Sequence, residues 1–175
     1  KILNIGRFTE QKDQITFVKS LNQIKNKLDF EAIIVGKGAL KSQIKKKIND
    51  YKLKKKVKII NFLENPYPII KETDLFVLTS KYEGLPNVLL EALTLKKFVI
   101  SSDCPTGPKE ILSNGKGGVL FKVGDYKSLG RKILFYSKNK KKLNSKIEFG
   151  FKQLKRFGYE KNLIKYSEMV KTYLF

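Results

Sequence analysis

Six short apolar runs, separated by segments of helical period, restrict this chain to one kind of fold. The runs are Ile2–Gly6, Ala32–Val35, Val57–Phe62, Asp74–Thr79, Phe98–Ser101 and Val119–Phe121, and each is predicted to be a strand. The first interval, Gln14–Leu28, carries Phe17, Val18, Leu21, Ile24 and Leu28 at the spacing of one buried helix face. Leu40–Tyr51, Tyr67–Lys71, Pro86–Leu95 and Pro108–Leu112 fill the later intervals as helices. Strict β-α-β alternation with short connections predicts an α/β fold: a Rossmann-like, doubly wound parallel sheet of about six strands. The tail, Tyr126–Phe175, adds further helices with breaks near Asn139 and Gly158. Such sheets hold ligands at the carboxyl ends of their strands, beside helix N-termini, and candidate residues are sought there.

Composition narrows the chemistry. At 175 residues the chain fits one domain with a sizeable core. It holds no His and a single cysteine, Cys104, which removes an internal disulfide, a Cys/His zinc site and any triad that needs imidazole. Carboxylates, Lys, Arg and backbone groups are left to carry the chemistry. No apolar run approaches the ~18 residues of a membrane span. The chain opens on Lys1, inside the first apolar run and without Met or leader, so a fragment cut at the first strand of a domain is expected. Net charge is +21, from 37 Lys and Arg against 16 Asp and Glu. Only Arg7, Arg131 and Arg156 are arginines, which argues against sequence-specific DNA reading. Two readings of the lysine surface stay open: a solvated face with no partner, or a surface attracted to an anionic membrane.

The first strand end reads Gly6-Arg-Phe-Thr-Glu-Gln-Lys12. Gly6 allows a tight exit, and Arg7 and Lys12 flank the mouth of the next helix, a pairing suited to a diphosphate. The second end, Val35-Gly-Lys-Gly-Ala39, lets the backbone at Gly36 approach a ligand closely. The third, Asn61-Phe-Leu-Glu-Asn-Pro66, offers amides and carbonyls of Asn61, Phe62 and Leu63 to the edge of a nucleobase. The fourth, Ser80-Lys-Tyr-Glu-Gly-Leu-Pro-Asn-Val-Leu-Leu-Glu91, sets Glu83 and Glu91 on either side of a Gly/Pro turn. Pro86 fits the first turn of a helix, leaving the amides of Leu85, Asn87 and Val88 free to meet an anion. Glu91 lies on the Asn87 face and leans toward the helix N-terminus, within reach of two vicinal hydroxyls. The fifth end, Ser101–Ile111, is a rigid Pro/Gly turn where Thr106 and Gly107 offer backbone groups, with Cys104 as an apolar filler.

In this order and spacing the chain resembles the nucleotide-sugar-binding, C-terminal half of a retaining GT-B glycosyltransferase of family 4, the glycosyl transferases group 1 domain. The likeness covers nearly the whole chain. It rests on Gly6-Arg7-Phe8 with Lys12, the Val35–Gly38 turn, Asp74–Ser80, the Glu83/Glu91 pair and Gly118–Phe121. It implies catalytic roles for Arg7, Lys12 and Glu83: the two cations neutralise the donor diphosphate, and Glu83 sits near the donor sugar. It implies donor binding by Gly6, Gly36, Asn61, Phe62, Leu63, Gly84, Leu85, Pro86, Asn87, Val88 and Glu91, with Glu91 on the ribose. No cofactor and no metal are expected, because fixed cations and dipoles meet the charge on the departing phosphate.

Where many relatives carry a Gly-Gly turn before Glu-Ile, this chain has Asp103-Cys-Pro-Thr-Gly-Pro-Lys-Glu-Ile111. That version resembles bacterial transferases that use UDP-galactose or UDP-N-acetylhexosamines to build lipid-linked and surface glycans, lipopolysaccharide and capsule among them. The resemblance implies a donor-binding domain over residues 1–175, with the half that binds a glycan or glycolipid acceptor lying before Lys1. A cytoplasmic location is expected, with peripheral contact on the inner membrane face as one of the two open readings of the lysine surface. Alternatives are another GT-B enzyme, such as a UDP-N-acetylglucosamine 2-epimerase or a phosphorylase, and a basic nucleic-acid-binding module. The last needs aromatics interleaved with Arg, whereas Tyr and Phe here fall mostly in core periods, so no nucleic-acid partner is expected.

Overall fold

The computed structural model describes residues 1–174. Strands β1 (Ile2–Ile5), β2 (Ala32–Val35), β3 (Val57–Ile60), β4 (Leu75–Leu78), β5 (Phe98–Ser102) and β6 (Val119–Phe121) form one parallel sheet in the order β3-β2-β1-β4-β5-β6. The order reverses direction at β1, where Ile2 pairs with Ala32 on one side and Leu75 on the other. A sheet covered on both faces needs apolar residues at both parities, which explains runs rather than alternation. Along β4, Leu75 and Val77 enter one core while Phe76 and Leu78 enter the other. Ala32 and Ile34 divide from Ile33 and Val35 in the same way on β2.

Helices α1 (Gln14–Ile24), α2 (Lys41–Asp50) and α6 (Tyr126–Asn139) bury Phe17, Leu21, Ile44, Ile48, Leu129 and Ile133 against the first face. Helices α3 (Tyr67–Lys71), α4 (Asn87–Thr94) and α5 (Pro108–Ile111) bury Ile70, Leu89, Leu93 and Ile111 against the second. Each fully buried aliphatic side chain contributes about 1.5–3 kcal/mol of transfer free energy. The tail breaks where expected. Helix α6 ends at Asn139, a 3₁₀ turn leads into α7 (Asn144–Gln153), and Gly158 separates a second 3₁₀ turn from α8 (Tyr159–Leu174).

Most boundaries fall within a residue of the sequence reading, and three differences have a clear physical setting. Helix α1 stops at Ile24, and the amides of Lys27 and Leu28 both turn back to its carbonyl. Leu28 still packs on the core, but from that turn. Strand β3 stops at Ile60, whose carbonyl accepts the Gly36 amide, so Asn61 and Phe62 leave the sheet exposed. Pro86 lies one residue outside α4, with an extended ψ of 96° and its ring buried beside Gly107.

Candidate functional site

Three strand ends and one helix meet in a cleft of about 380 Å³ at the carboxyl edge of the sheet. The β1 end supplies Ile5, Gly6, Arg7 and Lys12, and the β2 end supplies Val35, Gly36 and Lys37. Phe62, Leu63, Glu64 and Pro66 follow β3, and α4 presents Val88 and Glu91. Gly6, Arg7, Lys12, Gly36, Phe62, Leu63, Val88 and Glu91, scattered over the sequence, therefore share one wall.

The β1 and β2 exits are in contact because both begin with glycine. Gly6 donates its amide to the Val35 carbonyl at 3.0 Å, and Phe8 donates to Lys37 at 2.8 Å. Gly36 has φ 155°, and a Cβ there would stand 2.0 Å from the Gly6 carbonyl oxygen. Phe8 is fully buried beneath this crossing. The buried Gln14 donates its side-chain amide to the Arg7 carbonyl at 3.1 Å, which fixes the loop from the helix side.

The two cations of this loop differ. Arg7 is exposed and has no ion-pair partner among the described residues. Lys12 is held: its Nζ lies 2.6 Å from Glu83 Oε1, with the side chains only 16% and 5% exposed. Glu83 Oε1 also accepts the Ser80 hydroxyl at 2.6 Å. Glu83 thus stands behind Lys12 and off the cleft wall, in direct contact with that cation.

Backbone contacts lock the neighbouring turns to this pair. Thr79 Oγ1 donates to the Lys12 carbonyl at 2.9 Å, and the Lys81 amide donates to the Gln11 carbonyl at 2.7 Å. Ser102 donates its hydroxyl to the Ser80 carbonyl at 2.6 Å, and Thr106 donates its own to the Glu83 carbonyl. Gly107 (φ 75°) passes so close to Gly84 that a Cβ would stand 2.3 Å from the Gly84 carbonyl oxygen. The Thr106–Gly107 turn therefore supports the Glu83–Pro86 turn. Cys104 is buried in the same loop, and burial pushes its thiol above the ordinary value.

Glu91 is the one residue of the cleft lining, among the described residues, that carries an unsatisfied buried side-chain atom. Its Oε2 is shielded from solvent and has no hydrogen-bond partner, and burial raises its carboxyl above the usual range. A buried acceptor without a donor is destabilising unless something else supplies one. Lys12, Arg7 and the backbone at Gly36 line the same cleft.

The remaining predicted residues lie beside the cleft. Gly84 and Leu85 are exposed on the turn before α4, Asn87 is exposed at the first position of the helix, and Pro86 is buried between them. The amides of Leu85, Asn87 and Val88 have no hydrogen-bond partner among the described residues. Asn61 spends its side chain on Lys41, whose Nζ lies 2.6 Å from Oδ1. Phe62 is 56% exposed, with Lys37 Nζ 4.9 Å from the ring centre. Lys37 lines the cleft although its sequence signal is slight, a cation between two glycines at a strand end. Ser80 and Gln14, which hold the cations in place, carried no signal of their own. Among the described residues no group of three His, Cys, Asp or Glu gathers to hold a metal ion.

The sequence profile of the family described as glycosyl transferases group 1 matches residues 1–153. An uncharacterized glycosyltransferase of Methanocaldococcus jannaschii is 42% identical over 111 residues, 63% of this chain and 27% of that protein. A UDP-Gal:α-D-GlcNAc-diphosphoundecaprenol α-1,3-galactosyltransferase of Escherichia coli is 30% identical over 95% of this chain and 45% of its own length. Among solved structures, Staphylococcus aureus TarM, crystallised with UDP, superposes with a TM-score of 0.89 at 24% identity, over 96% of this chain and 35% of that one. The chain spans less than half the length of these proteins.

Proposed function

The chain belongs to the glycosyl transferases group 1 family, and from that premise we propose that residues 1–175 form the nucleotide-sugar-binding domain of a retaining family 4 glycosyltransferase. The observation that carries the proposal is the orphaned Glu91 Oε2 in a cleft that also holds Arg7 and Lys12. A ribose supplies two vicinal hydroxyl donors to such a carboxylate, and a diphosphate supplies the anion for the cations. The base would rest by Phe62 and Leu63, and the free amides at the N-terminus of α4 would meet phosphate or sugar. As the sugar departs, charge collects on the diphosphate, and Arg7 with the Glu83-oriented Lys12 is already aimed there. No metal is assigned a part in this scheme.

UDP-galactose or a UDP-N-acetylhexosamine is the proposed donor. The galactosyltransferase of E. coli uses UDP-Gal on a diphosphoundecaprenol acceptor, and TarM was crystallised with UDP. By the same reasoning the product is a lipid-linked or surface glycan, made at the cytoplasmic side of a membrane. The acceptor-binding half would lie outside residues 1–175, so this chain is expected to bind donor without turning it over. No helix among the described residues is long and apolar enough to cross a membrane. Family membership favours a transferase over the epimerase and the phosphorylase.

Titration calorimetry with UDP, GDP, ADP and a short single-stranded RNA tests the proposal. UDP is expected to bind best; tight RNA binding with no UDP binding would overturn it. Glu91→Ala is expected to weaken UDP about tenfold to a hundredfold, the worth of a charged hydrogen-bond partner at about 1.5–3 kcal/mol. Protonation of Glu91 removes an acceptor, so UDP affinity falls as pH drops through its raised carboxyl pKa, in a window above the ordinary 4.5. Glu91→Gln flattens that profile.

Stability of the empty domain runs the other way. A raised folded-state pKa means that the native state binds more protons in the window, so the burial penalty grows as pH rises through it. Glu91→Gln is therefore expected to raise the melting temperature at neutral pH while lowering affinity. Melting curves with and without UDP check both signs.

A further inference from the structure

Charge is unevenly spread over this protein. Residues 37–58 hold ten lysines against one acid, Asp50, and no arginine. They form a continuous flank made of α2, the loop after it and β3, the edge strand of the sheet. Ile44 and Ile48 anchor α2 in the core, leaving Lys45 and Lys46 exposed. Lys52, Lys54 and Lys55 are exposed on the following loop. Among the described residues these five amines form no ion pair, whereas Lys56 and Lys58 are held by Asp29 and Glu31 at 2.7 and 2.8 Å.

We propose that this flank is a docking surface for an anionic lipid bilayer. Lysine amines are hydrated point charges on long stems, suited to a diffuse plane of phosphates. A nucleic acid would favour arginine forks and bare aromatic faces, and the flank offers neither. Its one ring is already covered: Lys47 Nζ lies 5.3 Å from the centre of Tyr51, and Lys56 Nζ lies 5.3 Å from that of the neighbouring Phe30. Protection of an exposed strand edge accounts for Lys58 on β3, but α2 has no unpaired edge to protect. The cleft opens at the carboxyl ends of the strands, and Lys37 is the one lysine of the flank on its wall. A bilayer against the flank therefore leaves the cleft mouth open beside it. The surface rests on the charge of the flank and does not depend on which nucleotide the cleft takes.

Flotation with phosphatidylcholine vesicles containing phosphatidylglycerol tests the assignment, with pure phosphatidylcholine as control. The chain is expected to float only with the anionic vesicles and to release as salt rises past ~0.15 M, where the screening length is about 8 Å. Each lysine near an anionic leaflet is worth about fivefold in affinity, so Lys45→Gln, Lys46→Gln, Lys54→Gln and Lys55→Gln together should lose roughly six-hundredfold. A control that removes the same charge elsewhere (Lys138→Gln, Lys141→Gln, Lys142→Gln, Lys152→Gln) should lose about fivefold or less. Both variants should keep the parent melting temperature and UDP affinity. Equal losses in the two variants, or binding to pure phosphatidylcholine, would overturn the surface. So would a single-stranded RNA that binds through the same lysines while vesicles do not. Absence of UDP binding in the parent would overturn the donor site and leave this surface untouched.

Discussion

Lys12→Met is expected to destabilise the domain by about 3–5 kcal/mol and to weaken UDP binding at least tenfold. The stability loss follows from burial. The Glu83 side chain is 5% exposed and keeps only the Ser80 hydroxyl once the amine 2.6 Å away is gone. A buried carboxylate stripped of its counter-ion is far more costly than a surface one, where a pair contributes about 0–1 kcal/mol. At about 2–4 °C per kcal/mol for a chain of this size, the melting temperature should fall by roughly 10 °C. The affinity loss has another origin, the cation offered to the diphosphate, and the two can be separated. Lys12→Met with Glu83→Gln replaces the pair by neutral groups of similar shape, which should restore most of the melting temperature and none of the affinity. If the single variant melts and binds like the parent, the pair is an incidental contact and Lys12 has no part in the site.

Gly36→Ala should be nearly as damaging for a steric reason. Its Cβ would stand 2.0 Å from the Gly6 carbonyl oxygen and 2.9 Å from Cε1 of the buried Phe8. Backbone on one side and a core ring on the other leave nothing flexible to yield. Overpacking in a well-filled site costs about 1–3 kcal/mol, and a backbone clash belongs at the upper end. The crossing can relieve the contact only by parting the β1 and β2 exits, which breaks the bonds from Gly6 to Val35 and from Phe8 to Lys37. Since both exits wall the cleft, UDP affinity should fall together with the melting temperature. Gly84→Ala is the contrast, because a Cβ there meets nothing within 4 Å. It should melt close to the parent, and a melting temperature for Gly36→Ala equal to that of Gly84→Ala would refute the close-packed crossing.

The sheet was legible because burial on both faces leaves a simple trace. Leu75-Phe76-Val77-Leu78 is apolar at both parities and therefore must be covered on both sides. Helix ends were less legible. Leu28 keeps the period of α1 although the helix has already stopped, because a turn residue can pack on the core as well as a helical one. Within the site, residue type announced Arg7, Lys12 and Glu91, and strand ends told where they would gather. Pairing between them left no trace: Lys12 and Glu83 are 71 residues apart, and nothing local marks Glu83 as the partner. Asn4 is similar. It sits mid-strand in β1, 2% exposed, and its amide reaches the Val77 carbonyl on β4 at 2.9 Å. A polar residue inside a predicted strand reads locally as a defect, and only the neighbouring strand makes it a tie.

The strand order has a consequence for how the molecule comes into being. β1, β2 and β3 are neighbours in both sequence and space, so half of the sheet can assemble early from short-range pairings. β4 must then close a loop of about seventy residues to reach the far side of β1, and it brings Glu83 and Glu91 with it. Until that closure Arg7 and Lys12 stand without the carboxylates of Glu83 and Glu91 nearby, a half-built wall more cationic than the finished one. The proposed ligand cleft and the longest-range pairing of β1 thus meet at one seam, the β1–β4 junction. A nucleotide taking the proposed site is expected to do so only after the seam has shut.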